Sequence, residues 1–410
     1  MNNRKKPEIL SPAGNPEKLR FAVDYGADAV YCALERFGMR RAADNFTKES
    51  LASAIAYAHE KGKKVYLTVN VMPHEGEFGD LPRFIAEADE LKPDAYIVSD
   101  PGVMDCIKAN AKDPELHLST QASTVNAAAC RFWHRQGVKR IVLARELSLA
   151  EIKAIRKNIP EELELEAFIH GAMCVSYSGR CLLSNFMTER GANQGQCAHP
   201  CRYKYALMEE KRPGEFYPVE EDDRGTYIFN SKDMCMIEHI PELIESGLAS
   251  LKIEGRMKSV FYVATVVRAY RQAIDAYYAD PEGWTFKEEW LEELKKVSNR
   301  HFTNGFYFNK PRNVDQNYET SAYYREFTFI GLVLDYDAET GIATVEQRNK
   351  ISDGDFVEVF GPGEVCFTQT ISGMTDEEGT PISAAPHAQQ IVKIPMAQPV
   401  GKNFMVRRHI

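Results

Sequence analysis

The sequence predicts an α/β protein: a (β/α)8, TIM-like barrel followed by a small all-β barrel or sandwich. Three observations carry this. Eight short apolar runs recur through the first 255 residues, with helical stretches between them. Most of the runs are near-continuously apolar, as buried parallel strands are. From Phe327 onward, apolar and polar residues alternate and are broken by Gly, Pro and Asp turns, the pattern of short antiparallel strands. A doubly wound open sheet is the alternative that strand–helix alternation also allows. The chain has 410 residues, too many for one ordinary core, which fits a barrel domain over 1–325 and a second unit over 326–410.

The eight strand-like runs are 8–13, 29–34, 64–70, 94–100, 116–122, 140–146, 165–170 and 249–255. Between the first two, "NPEKLRFAVDYG" opens with an Asn cap and a Pro at the first helical position and stops at Gly26. The next helix, within "KESLASAIAYAHEKG", puts Leu51, Ala54, Ile55 and Ala58 on one face. The spacing is regular with one exception, the long segment 171–248 between strands seven and eight. Insertions of that length in compact domains are usually functional. Residues 256–325 read as mostly helical, with an amphipathic stretch near "VFYVATVVRAYRQAIDAYYAD". The closing strands are expected in "FTFIGLVLDYD", "GIATVEQR", "DFVEVFGPGE", "CFTQTISG", "QQIVKIPM" and "NFMVRR".

Composition is that of a soluble globular protein, 44% hydrophobic and 27% charged. No apolar run approaches the ~20 residues of a membrane span. The start, "MNNRKKPEIL", is basic but lacks the apolar stretch of a signal peptide, so a cytoplasmic protein without membrane association is expected. Thiols stay reduced there. A net charge of −9 argues against sequence-blind nucleic-acid binding, which needs a broad basic face.

In such barrels the chemistry sits at the C-terminal ends of the strands. Those ends carry Ser11, Asn70, Asp100, Gln121, Arg145, Glu146, His170, Glu254 and Arg256. His170, Glu254 and Asp100 are the acid–base candidates by position. Basic groups gather nearby: Arg36, Arg40, Arg41, Arg145, Arg180, Arg202, Lys204, Lys252, Arg256 and Lys258. Of the mouth residues, Arg145, Arg180, Arg202, Arg256, Lys258 and Gln121 are the candidates for substrate binding. Arg256 and Lys258 follow strand eight, the usual anion site of these barrels. Phe46, Tyr177, Phe186 and Tyr203 could stack on unpaired bases.

The segment after strand seven, "CVSYSGRCLLSNFMTERGANQGQCAHPC", holds four of the nine cysteines: Cys174, Cys181, Cys197 and Cys201. Their spacing, C-x6-C-x15-C-x3-C, fits poorly with zinc ribbons, which use C-x2–4-C pairs. A [4Fe–4S] cluster tolerates wider and less regular spacing. Zinc and packed or redox-active thiols remain the alternatives on spacing alone. Cys235 is a possible substitute ligand. Cys32, Cys106, Cys130 and Cys366 lie in apolar contexts and are expected to be buried thiols.

"EAFIHGAMCVSYSGRCLLSN" resembles the signature of peptidase family U-32, the collagenase-like peptidases. The resemblance continues through "EILSPAG", "GADAVYCAL", "ADNFT", "STQASTVN", "LARELSL", "NSKDMC" and "LKIEGRMKS", and so covers residues 7–310. "EQRNKISDGDFVEVFGPG" resembles the small β-barrel of the family's long members. Within the family the chain is similar to the branch that modifies tRNA to 5-hydroxyuridine. That resemblance implies oxygen-independent hydroxylation of the wobble uridine, with the tRNA anticodon loop as partner and prephenate as a required metabolite. It also implies a paralogous subunit as a possible partner. Sister proteins of ubiquinone hydroxylation hold a [4Fe–4S] cluster on four cysteines. By position, Cys174, Cys181 and Cys197 match the shared ligands, Cys201 matches the tRNA-type fourth, and Cys235 lies near another branch's fourth. One departure is "CRYKY", where Tyr203 stands in place of an expected Trp.

The peptidase name finds little support in the motifs. There is no H-E-x-x-H and no G-x-S-x-G, and neither P-loop nor G-x-G-x-x-G is present. A non-enzymatic RNA-binding scaffold with a structural zinc is the other alternative. The C-terminal unit, with 11 acidic against 6 basic residues from Gly331 to Ile410, is not expected to track phosphates.

Overall fold

The structure is a computed structural model. It describes residues 5–37, 45–173, 183–190, 197–198, 200, 206–208, 216–218, 232–309 and 324–410. Seven parallel strands follow in chain order: β1 (Glu8–Pro12), β2 (Ala29–Cys32), β3 (Lys64–Val69), β4 (Ala95–Val98), β5 (Leu116–Leu118), β6 (Val138–Val142) and β7 (Glu164–Ala172). Beyond a short antiparallel pair, β8 (Ala206–Met208) with β9 (Phe216–Pro218), come β10 (Asp233–Cys235) and β11 (Ser250–Ile253). β11 pairs in parallel with both β1 and β7, which closes the eight strands into a barrel and removes the open-sheet alternative.

The helices α1 (Pro16–Asp24), α2 (Lys48–Glu60), α3 (Leu81–Asp89), α4 (Pro101–Asn110), α5 (Ala127–Arg135) and α6 (Leu149–Lys157) fill the crossovers. Asn15 caps α1 by accepting from the Lys18 N–H, and Ser148 with Glu151 forms a capping box on α6. Most strands are shorter than the apolar runs that announce them. At 94–100, for instance, the ladder stops at Val98 because the Asp100 carboxylate turns to accept from the Val103 N–H at 3.0 Å and caps α4. Strand seven is longer than expected, because it has an additional partner. Its upper end pairs antiparallel with β10, with Cys235 opposite His170, and β10 pairs in turn with β12 (Phe302–Thr303). The segment 171–248 therefore ends in barrel structure: β10 and the crossover helix α8 (Ile240–Glu245) belong to it, with the short helix α7 (Leu183–Thr188) lying earlier.

Strand alternation sends Ile9, Val30, Val65, Leu67, Leu165 and Leu251 outward to the helices. Leu10, Ala29, Tyr31, Tyr66, Ala95 and Ile97 form a separate interior cluster. The rest of the interior is ionic. Arg140 reaches Glu8 at 2.7 Å, Glu164 at 2.6 Å and Glu166 at 3.4 Å, and Lys252 reaches Glu166 at 2.8 Å. Burial alone would raise the Glu166 pKa, but the charges of Lys252 and Arg140 outweigh it and hold the carboxyl below its ordinary range. This network fills the barrel beneath its mouth.

Helix α9 (Val260–Ala279) is not amphipathic in its setting. Fourteen of its 20 residues are buried, because the barrel covers one side and the C-terminal unit much of the other. That unit holds β13 (Phe327–Asp337), β14 (Ile342–Gln347), β15 (Ile351–Ser352), β16 (Phe356–Phe360), β17 (Cys366–Thr370), β18 (Ala384–Ala385), β19 (Ile391–Pro395) and β20 (Met405–His409). Six of these strands make one antiparallel sheet in the order β17-β16-β20-β13-β14-β19, an open half-barrel. Its two edges are joined by a side chain rather than a ladder: Gln369 donates to the Pro395 carbonyl and accepts from the Ala397 N–H.

The fully buried Arg407 links this sheet to the barrel. It makes two 2.7 Å contacts with Glu293 of α10 (Glu288–Lys295) and one with Glu358, and its guanidinium lies 4.3 Å from the centre of the Phe360 ring. Such a bidentate guanidinium–carboxylate pair fixes orientation as well as charge.

Candidate active site at the barrel mouth

The polar residues expected at the strand ends converge above the ionic interior. Arg256, following β11, is 4% exposed and reaches across to β3, where its Nη1 donates to Thr68 Oγ1 at 3.2 Å. Gln121, in the turn after β5, is 3% exposed. Its Oε1 accepts from Asn70 Nδ2 at 2.7 Å and from Ser119 Oγ at 3.1 Å, and the Ser99 hydroxyl donates to the Asn70 carbonyl. Arg145 lies with its guanidinium 3.9 Å from the centre of the Phe168 ring, a stacking distance. The carboxyl of the next residue, Glu146, is pushed above its ordinary pKa by burial. Sequence position alone placed Glu146 at the mouth but did not single it out.

Two glycines let the strand ends approach closely. A Cβ on Gly14 would fall 2.5 Å from the Arg256 carbonyl oxygen, so the turn after β1 can seat against Arg256 only without a side chain. Gly171, with φ +103°, meets the Glu254 carbonyl in the same way.

Several candidates occupy different roles from those expected. Asp100 is the α4 cap described above. Lys258 donates from its Nζ to the Ser298 carbonyl at 3.1 Å, and Lys252 is the partner of Glu166. Arg36 makes an exposed ion pair with Asp80. Phe46 is a correction: it is fully buried in the main core, so it cannot stack on a base. Glu254 is 8% exposed, with its backbone N–H bonded to the His170 carbonyl and its own carbonyl accepting from Tyr262.

His170 is buried against the rings of Tyr262, Tyr270 and Phe302. Burial, with the charge of Lys258 added, pushes its pKa down to about 3, so the imidazole is neutral at physiological pH.

Of the four cysteines in the long segment, Cys174, Cys181 and Cys201 lie outside the described residues, as do Arg40, Arg41, Arg180, Arg202, Lys204, Tyr177, Tyr203 and the side chain of Phe186. Cys197 is half-buried. Among the described residues no three of His, Cys, Asp and Glu converge as a metal-binding set. Cys235 is buried beside Tyr270, whose hydroxyl lies 3.9 Å from the sulfur, and burial pushes the thiol up to about 12. Cys32 and Cys130 are buried as expected, whereas Cys106 is half-buried and Cys366 exposed, on the strand at the open edge of the small sheet.

The model of peptidase family U32 matches residues 14–317, and that of the U32 C-terminal domain matches residues 325–407. The chain belongs to peptidase family U32. Among its relatives in this family, a Bacillus subtilis protein named tRNA hydroxylation protein P1 is 43% identical over 98% of this chain and 95% of its own length. The Escherichia coli tRNA hydroxylation protein P is 37% identical over 97% of this chain and 96% of its own. A Porphyromonas gingivalis protein named collagenase is 33% identical over 96% and 95%.

The U32 name raises cysteine proteolysis; Cys174, the thiol four residues after His170, lies outside the described residues, and Cys235 stands opposite His170 across the ladder. A cysteine protease needs a thiolate beside an imidazolium. Here the thiol pKa is pushed up and the imidazole pKa down, so both are neutral, and both side chains are buried. That is the reverse of an activated pair.

Proposed function

We propose that this U32 protein hydroxylates the wobble uridine of tRNA to 5-hydroxyuridine, without molecular oxygen and with prephenate as a required metabolite. The observation that carries the reading is the near full-length similarity to proteins named for tRNA hydroxylation, the first of them 43% identical. The geometry of the mouth agrees with small-molecule chemistry. Arg256 and Gln121 present hydrogen-bond donors in a buried setting, Arg145 adds a cation over Phe168, and Glu146 can hold a proton. A base brought to this mouth must leave its stack, as in other enzymes that modify bases.

Cys174, Cys181, Cys197 and Cys201 would hold a [4Fe–4S] cluster. Four soft donors within 28 residues suit one, and the chemistry it supplies when bound is one-electron transfer. These cysteines follow the end of β7, so the segment that carries them leaves the barrel on the same side as the mouth residues.

The test is deletion of the gene followed by mass spectrometry of tRNA nucleosides from anaerobically grown cells. The expected result is loss of the nucleosides that derive from 5-hydroxyuridine, restored by the intact gene. An unchanged nucleoside profile refutes the substrate.

A further inference from the structure

The buried amide of Gln121 is half used. Its oxygen is held by two donors, Asn70 Nδ2 and Ser119 Oγ, which orients the group. Its nitrogen, Nε2, is buried and has no hydrogen-bond partner among the described residues. A buried donor left unmade costs about 1–3 kcal/mol, so such a group in a native fold calls for a partner that arrives with a ligand.

The surroundings say what kind of ligand. Gln121 is tied to Asn70, and Arg256 is tied to Thr68. Thr68 lies near the end of β3 and Asn70 directly follows that strand, so the two anchor points are roughly 7 Å apart at the same strand end. A carboxamide from the β5 end and a guanidinium from the β11 end are thus both tied to the same end of β3. Gln121 offers an N–H group and no free acceptor, since its oxygen is already engaged, and Arg256 adds positive charge. Both are also almost wholly buried, at 3% and 4% exposure, which favours a small molecule over a polynucleotide backbone. A ligand matched to this pair presents oxygen acceptors and negative charge.

We propose that Gln121 and Arg256 form a subsite for a carboxylate of a small organic acid, with the Gln121 Nε2 donating to a carboxylate oxygen and thereby setting specificity. The inference rests on the reading of the mouth as the site of chemistry, and it names where the acidic metabolite of that reading would sit.

Gln121→Glu isolates the donor. The substitution keeps the shape and the oxygen that faces Asn70 and Ser119, and replaces the N–H group with an acceptor of like charge to the ligand. Gln121→Leu removes the group altogether. Calorimetric titration of the purified full-length protein with prephenate, and in parallel with succinate, reads the subsite directly and needs no turnover. We expect prephenate to bind the unaltered protein, Gln121→Leu to weaken binding about tenfold, and Gln121→Glu to weaken it at least as much. Thermal unfolding of each variant is followed in parallel, so that affinity is compared between folded proteins. Equal affinity in all three proteins overturns the proposal. So does the absence of binding by either acid to the unaltered protein. Loss of the modified nucleosides on gene deletion together with absent prephenate binding would sink the subsite while leaving the tRNA reading intact. Binding by the subsite with an unchanged nucleoside profile would do the reverse.

Discussion

Lys252 stands inside the barrel with one carboxylate to balance it, and this makes Glu166 the residue whose neutralisation should be felt most. Glu166 is fully buried, 2.8 Å from Lys252 and 3.4 Å from Arg140. Arg140 keeps Glu8 and Glu164 when Glu166 is neutralised. Among the described residues Lys252 keeps the faces of Tyr31, at 4.5 Å, and Phe168, at 5.6 Å. Breaking a buried pair by removing one partner costs about 3–5 kcal/mol, and a desolvated cation over an aromatic ring recovers about 1–2. Glu166→Gln should therefore destabilise the protein by about 1–4 kcal/mol. Replacing both partners together, Glu166→Gln with Lys252→Met, removes the stranded charge and should recover most of that loss. Equilibrium urea unfolding of the four proteins in the cycle reads the coupling directly. A cost below about 1 kcal/mol for Glu166→Gln, or a double variant no more stable than that single one, would refute the argument that Lys252 depends on Glu166.

The pH dependence of stability should carry the signature of His170. Its folded pKa, about 3, lies below the unfolded value of about 6.5, so between those values the unfolded chain takes up a proton that the folded one does not. Stability should fall as pH drops below about 6.5, by up to about 1.4 kcal/mol per unit from this group, and His170→Phe should flatten that slope; an unchanged slope counts against the assignment. Gly171→Ala must bring a Cβ to 2.5 Å from the Glu254 carbonyl at a left-handed φ, so it should lower stability by at least about 2 kcal/mol and weaken ligand binding at the mouth. Anaerobically purified Cys197→Ser should lose iron and acid-labile sulfide, whereas Cys235→Ser should retain both; stoichiometric zinc without sulfide in the unaltered protein would remove the cluster from the proposal.

The eight barrel strands were legible because each is buried on both faces, so a run of apolar residues marks it wherever the chain is cut. Strand boundaries were less so. Whether Ser99 and Asp100 continue β4 or leave to cap α4 is settled by the crossover that follows, and β7 extends to Ala172 only because β10 returns to pair with it. The polar strand ends pointed to a mouth, since barrels of parallel strands gather those ends on one rim. Which of them face one another was not readable: Arg256 meets Thr68 across 188 positions of chain, and Gln121 meets Asn70 across 51. The same limit applies to charge. Lys252 looked like a basic group for a substrate until barrel closure placed Glu166 beside it, and Phe46 looked like a stacking surface until helices covered it. The sequence by itself determined the order of elements and the apolar character of each strand, because those depend on neighbours along the chain. The tertiary structure decided which donors are left unmade, which charges are cancelled and which thiols stay protonated, because burial and partners come from residues far away in sequence.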